Sequence, residues 1–261
     1  MKDFLGYKDT YLSTKRRYNL LRLFSPLKCM FCGEVEFTDD GPFCPECYEK
    51  FLQLLSKPCP YCGCSGDECK CSVTAGVKKH FFMFWYHGEF VTEIVSKLKY
   101  DGEKRYITFL GELLAQKIKE SCGKINFTGI CYVPRAKSSI KRIGFDQAKL
   151  LAECVAFYLN LPVFPCLERK KEGKEQKKLS GAERRKNIRQ KYTVSINNLV
   201  NENGEIHSKL LLIDDVVTTG STIQECSYIL RRSGVSSVCV ASIAKTPFKK
   251  RKRMIKRTKK L

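Results

Sequence analysis

The 261-residue sequence has no long hydrophobic run: no apolar stretch approaches the ~20 residues needed to cross a bilayer. The opening "MKDFLGYKDTYLSTKRRYNLL" has charge on both sides of every short apolar cluster and no hydrophobic centre. It does not read as a signal peptide, and a cytoplasmic location is the expectation. No G-x-x-x-x-G-K-[ST] occurs, which excludes a P-loop. Acidic residues are scarce, 27 against 48 Lys and Arg, leaving a net charge of +21. That surplus is clustered and should attract polyanions: nucleic acid, phosphorylated metabolites or an anionic membrane surface. With 43% apolar and 11% aromatic residues the chain is not disordered. Its length allows one good-sized core and a smaller module beside it.

Cysteine, by contrast, is plentiful: 15 residues, nine of them between Cys29 and Cys71. The six scattered from Cys122 to Cys239 sit mostly in apolar contexts and read as small buried hydrophobes. In "CMFCGEVEFTDDGPFCPEC" the spacing is Cys29-x2-Cys32, eleven residues, then Cys44-x2-Cys47. Two such knuckles bring four thiolates into tetrahedral geometry around zinc. "CPYCGCSGDECKC" offers another knuckle, Cys59-x2-Cys62, with Cys64, Cys69 and Cys71 competing for the remaining places. Cys69 with Cys71 is the expected choice, because Cys64 lies too near its own knuckle to close a ring. An iron–sulfur cluster is an alternative for this spacing, and disulfides are disfavoured in a reducing compartment.

Composition divides the chain into a cysteine-rich segment 1–75, an alternating apolar and amphipathic segment 76–247, and a basic tail 248–261. Within the middle segment, "HFFMFWYHG" reads as a buried strand in preference to a base-stacking platform. Helical spacing follows on either side of a turn at "YDGEK". "GICYVP" predicts a strand, "DQAKLLAECVAFYLNL" a helix ending at Asn160, and "PVFPCLER" a second strand. After a charged stretch (169–189) come strands at "QKYTVSI" and "KLLLIDD", a helix "TIQECSYILRRSG" closed by Gly234, and a last strand "SSVCVASIAK". This alternation predicts an α/β fold, a mostly parallel sheet with helices on both faces that binds ligands at its C-terminal strand ends.

At such an end stands "LLLIDDVVTTGST", Leu210 to Thr222. Beyond the aliphatic strand, the turn and the following helix start should aim backbone amides and a positive dipole end at one point, where a phosphate fits. Gly220 allows close approach, and Thr218, Thr219, Ser221 and Thr222 can each donate a hydroxyl. Asp214 and Asp215 are suited to ribose hydroxyls or to a hydrated magnesium beside a polyphosphate. Together they describe a cradle for ribose 5-phosphate.

This stretch resembles the phosphoribosyl-diphosphate (PRPP) motif of type I phosphoribosyltransferases. That resemblance implies the same fold, places Asp214 and Asp215 at the catalytic centre, and makes Pro134 and Arg135 pyrophosphate contacts by position. "YVPRAKSSIKRIGFDQAKLL", with its Arg-x-Gly-Phe-x-Gln, narrows the likeness to the ComF family. So does the flap "RKKEGKEQKKLSGAERRKNIRQKYTV", where the family pattern would fall on Arg169, Gln176, Leu179, Arg184 and Asn187. One departure is Ile143-Gly144-Phe145-Asp146 where that family usually has Arg-Gly-Phe-Asn; it should weaken local positive potential, leaving Lys141 and Arg142 for anion contact. The resemblance extends to the cysteine segment, similar to an N-terminal double zinc ribbon with structural zinc. It further implies PRPP with magnesium as ligand, handling of single-stranded DNA during uptake for natural transformation, and competence-machinery proteins as partners. Two other readings stay open: a phosphoribosyltransferase acting on a small base or amine in salvage, and a non-catalytic interaction module with a vestigial cradle. The basic tail is either a solubility tail or a DNA-binding arm.

Overall fold

The computed structural model describes residues 27–36, 42–64, 69, 76–100, 104–170, 191–200 and 204–247; the basic tail 248–261 lies outside them. A short antiparallel ribbon, β1 (Leu27–Lys28) with β2 (Val35–Glu36), is followed by helix α1 (Pro45–Leu55). The main sheet starts with β3 (His80–Trp85), and two helices, α2 (Glu89–Tyr100) and α3 (Lys104–Ser121), lead to β4 (Gly129–Tyr132). Helices α4 (Lys137–Ile143) and α5 (Gln147–Leu159) precede a hairpin-like pair, β5 (Leu167–Arg169) and β6 (Tyr192–Val194). The chain then returns to the sheet through β7 (Lys209–Val217), α6 (Ser221–Arg232) and β8 (Ser237–Lys245).

The sheet order is β3-β8-β7-β4, with every neighbouring pair parallel. Its central strands are apolar on both faces, as a parallel sheet covered twice requires. Successive residues of β7 feed opposite layers: Leu211 and Ile213 join the core beneath α2, α3 and α5, while Leu210 and Leu212 join the core beneath α6 and the β5–β6 pair. The expected α/β architecture is therefore present, and "HFFMFWYHG" is the buried strand β3.

Two expectations need correction. "PVFPCLER" does contain a strand, but outside the parallel sheet that the alternation implied: an isolated bridge joins Val163 to Ile130, and Leu167–Arg169 pairs antiparallel with β6 in a separate two-stranded sheet. "QKYTVSI" belongs to that same pair. Apolar composition marks these segments as strands, but their partners lie far apart in sequence, so composition cannot say which sheet they join. Second, β7 does not end at the paired aspartates. It continues to Val217, because Val216 and Val217 still pair with β8 and stay buried.

The cysteine segment shares the main core. Phe51 of α1 packs against Phe84 of β3 and Phe109 of α3, with ring centroids 5.4 and 5.5 Å apart, and Phe31 stacks on Phe90 at 4.0 Å. Cys29, Met30, Phe43 and Cys47 are buried in the same cluster.

Candidate functional site

The site is built at the C-terminal end of β7. Asp214 and Asp215 are the last polar pair before the strand's buried terminus, and a turn then runs through Thr218, Thr219 and Gly220 into α6. Gly220 has φ 74°, a left-handed conformation that favours glycine, and it occupies the N-cap position of α6. Gly220 itself brings no capping side chain to that end, so amides of the first turn beyond Ser221 can meet an anion. Thr218, Thr219 and Ser221 are exposed and Thr222 is half-buried. The hydroxyls of Thr219 and Ser221 bond to each other at 3.0 Å, and the Ser221 amide donates to Thr219 Oγ1 at 3.4 Å.

A pocket of about 200 Å³ opens beside this turn, lined among others by Lys99, Pro134, Arg135, Asp214, Asp215 and Thr222. Two cations face one carboxylate there: Arg135 Nη2 lies 3.6 Å and Lys99 Nζ 3.9 Å from Asp215 Oδ2. Both pairs are long and partly wet, so they contribute little stability and cost little to open. Asp214 is different. Burial first, and then the charge of Asp215, raise its carboxyl well above the usual carboxylate range, while Lys99 works in the opposite direction. Tyr192 forms another wall; burial pushes its phenol up to about 12, so it remains a neutral hydroxyl.

Lys99 was not foreseen from the sequence. On α2 it is one of several basic residues of an amphipathic helix, and only the fold carries the helix end to β7. Gln147, the glutamine of the Arg-x-Gly-Phe-x-Gln stretch, is buried and donates its side-chain amide to the Lys99 carbonyl. It thereby ties the end of α2 to the start of α5.

Asp146 also requires a correction. Its carboxylate does not stand as a free negative charge in the anion pocket. It caps α5, accepting from the amides of Ala148 (3.1 Å) and Lys149 (3.3 Å), and it accepts from the Arg135 amide at 3.0 Å. Asp and Asn serve about equally at a helix N-cap, so the departure from Asn keeps the local architecture. Asp146 holds the Pro134–Arg135 loop in place.

Next to the pocket and sharing Pro134, Arg135, Asp146 and Arg169 with it, a cleft of about 800 Å³ runs between α4, the start of α5 and the β5–β6 pair. Lys137, Lys149 and Lys170 lie along it with Glu153 and Glu168, and Ile140, Phe145 and Leu167 supply apolar wall. No feature of the sequence marked this cleft, since its two sides are far apart along the chain. Of the flap residues, Arg169 lines both cavities; Gln176, Leu179, Arg184 and Asn187 lie outside the described residues.

The cysteines gather into two groups. The sulfurs of Cys29, Cys32, Cys44 and Cys47 all lie within 4.8 Å of one another, and so do those of Cys59, Cys62 and Cys69. Tetrahedral zinc with bonds near 2.3 Å would separate its thiolates by about 3.8 Å. The Cys32–Cys44 and Cys62–Cys69 sulfur distances, 3.7 and 3.6 Å, fit that ion. Both groups can hold a metal ion such as zinc. Cys64 is not in the second group, and Cys71 lies outside the described residues. In the first group, burial works to raise the Cys29 thiol. Amide hydrogen bonds from Cys44, Cys32 and Phe31 outweigh it and bring the thiol down to about 7, toward the thiolate that a metal needs.

No family model matches the chain. Competence protein ComFC of Streptococcus pneumoniae is 25% identical over 239 residues, covering 84% of this chain and 100% of that protein. Competence protein F of Haemophilus influenzae is 25% identical over 235 residues, with 85% and 98% covered. DNA utilization protein YhgH of Salmonella typhimurium is 27% identical over 157 residues, covering 59% of this chain and 66% of that one. Among solved structures, similar ones include a glutamine phosphoribosylpyrophosphate (PRPP) amidotransferase from B. subtilis, 19% identical with a TM-score of 0.39 over 57% of this chain and 30% of that one. Another is a purine phosphoribosyltransferase from Pyrococcus horikoshii, 14% identical with a TM-score of 0.33 over 66% and 81%. Over 84% and 85% of its length the chain is thus similar to two competence proteins, a likeness that supports the resemblance to the ComF family.

Proposed function

We propose that this chain serves DNA uptake: a PRPP-binding phosphoribosyltransferase-like domain, residues 76–247, follows a zinc-bearing segment, 1–75, and the whole handles single-stranded DNA. One observation carries the reading. A phosphate-ready helix start, two carboxylates and two cations from four separate elements converge on a single pocket at the end of β7.

The chemistry follows from their placement. The amides at the start of α6 hold the 5-phosphate, and the carboxylates of Asp214 and Asp215 accept the ribose hydroxyls. Arg135 and Lys99, released from their long pairs with Asp215, meet the pyrophosphate. Both carboxylates offer the hard oxygen donors that magnesium prefers, and the ion would offset charge gathering on the leaving pyrophosphate. The adjoining cleft supports the reading of an active transferase, because it gives an acceptor room beside the ribose. Its lysines and arginines equally suit a polynucleotide backbone.

Isothermal calorimetry with PRPP and magnesium tests the pocket: a single binding event is expected, lost in Asp214→Ala/Asp215→Ala. Filter binding of labelled single-stranded DNA across a salt series tests the partner. Affinity should fall steeply with salt, because bound cations would be exchanged for phosphate contacts. Salt-insensitive or absent binding would contradict the DNA role and leave the salvage reading.

A further inference from the structure

Lys245 is the last residue of β8 and is 6% exposed. Lysine is almost never this buried without a partner, because its ammonium loses hydration that only an opposite charge or a ring of dipoles replaces. Among the described residues no carboxylate stands within ion-pair distance of it. Its ammonium lies 5.2 Å from the centre of the Phe82 ring. That ring and Trp85, the register partner of Lys245, pack directly against Cys59 and Cys69 of the second cysteine group. Lys117 of α3 approaches the same ring at 5.7 Å. Cys59 and Cys69, packed on the same rings, are the groups in this cluster that become anionic when they bind a metal ion.

The two cysteine groups differ here. In the first, the buried Cys29 sulfur accepts from the amides of Phe31 at 3.4 Å and Cys44 at 3.3 Å, so backbone dipoles disperse its charge. The equally buried Cys59 sulfur receives no such amide bond among the described residues. A divalent ion held by three or four thiolates leaves one or two net negative charges beside a phenyl and an indole ring. Apolar rings cannot answer that charge.

We infer that Lys245 is the counter-charge of a metal–thiolate centre at Cys59, Cys62 and Cys69: a positioning residue that holds the centre against the edge of the sheet. The inference rests on the second cysteine group binding an ion. It also gives β8 a second task. The Lys245 carbonyl accepts from Tyr86 at 2.8 Å, and the next residue's amide, Thr246, donates to Val217 just before the phosphate turn. The residue that faces the metal centre is thus built into the strand end bracing the cradle.

The test uses the full-length, zinc-loaded chain and counts zinc by native mass spectrometry, with affinity from competition by a colorimetric chelator. Cys59→Ser/Cys62→Ser should lower the zinc count by one; an unchanged count would mean that the second centre does not exist, and the inference falls with it. Given that centre, Lys245→Met should release its ion about 10- to 100-fold more readily while the Cys29 centre keeps its own. Lys245→Arg should restore retention, because it preserves charge. Wild-type retention in Lys245→Met would overturn the inference. So would equal loss from both centres, or an Arg variant as leaky as the Met variant, since either would make the effect one of packing and not of charge.

Discussion

The cradle and the cysteine segment assemble polar groups in opposite ways. Around β7 the charged groups stand apart: Asp215 is 3.6 Å from Arg135 and 3.9 Å from Lys99, across an open pocket. In the cysteine segment four sulfurs crowd within 4.8 Å, and Cys29 and Cys47 are buried in the core that carries β3 and α3. Long, wet pairs are easily exchanged for a ligand's charges, whereas gathered sulfurs can hold a metal ion, and binding one couples to folding. The first arrangement suits a site that binds and releases. The second suits a part that must be complete before the chain can fold.

Four perturbations would sharpen or break that contrast. Metal removal should have the largest effect. Stripping zinc with a strong chelator, or Cys29→Ser/Cys32→Ser, should unfold the shared core, as loss of a structural zinc site does, and lower the melting temperature drastically. A sharp melt retained at the original temperature would show that the core does not need the ion. Next comes Phe51→Ala, which removes the ring linking α1 to Phe84 and Phe109. It should cost about 3–5 kcal/mol in urea denaturation. A loss below about 1 kcal/mol would mean the cysteine segment sits on the sheet without sharing its core.

Cradle substitutions should be milder. Asp146→Ala removes the cap of α5 and the tether of the Arg135 amide, and should cost about 0.5–2 kcal/mol, with Asp146→Asn close to wild type. Equal damage from both variants would show that the capping reading is wrong. Smallest is Asp214→Asn. Because burial raises the folded-state pKa of Asp214, the folded chain holds that proton more tightly than the unfolded chain. Stability from this source is therefore full below the unfolded pKa of about 4 and declines as pH rises toward the folded value. Melting curves from acid to neutral pH should show wild type losing ground to Asp214→Asn as pH increases. Parallel curves would place Asp214 in a more watery setting.

How much of this was legible in the sequence depended on how far apart the cooperating residues lie. The strand–turn–helix from Leu210 to Thr222 was readable because its parts are contiguous and each has a local cause: aliphatic alternation, a left-handed glycine, a helix start. The Cys-x2-Cys knuckles were readable for the same reason. Lys99, the large cleft and the separate β5–β6 sheet were not, because each depends on pairing between distant segments. Asp146 is an instructive miss. An aspartate immediately before the helical run at Gln147 is a local N-cap signal as well as a charge. The carboxylate that should have weakened an anion site instead fastens the loop that presents Arg135 to it.

What occupies the end of β7 decides the function of the cradle. A crystal structure of the chain soaked with PRPP and magnesium is the most direct test. The expected density has the 5-phosphate against the amides from Gly220 to Thr222, the ribose hydroxyls on Asp214 and Asp215, and Arg135 and Lys99 turned from Asp215 toward the pyrophosphate. A turn empty of phosphate, with Asp215 still paired to both cations while PRPP lies elsewhere, would contradict the proposed function.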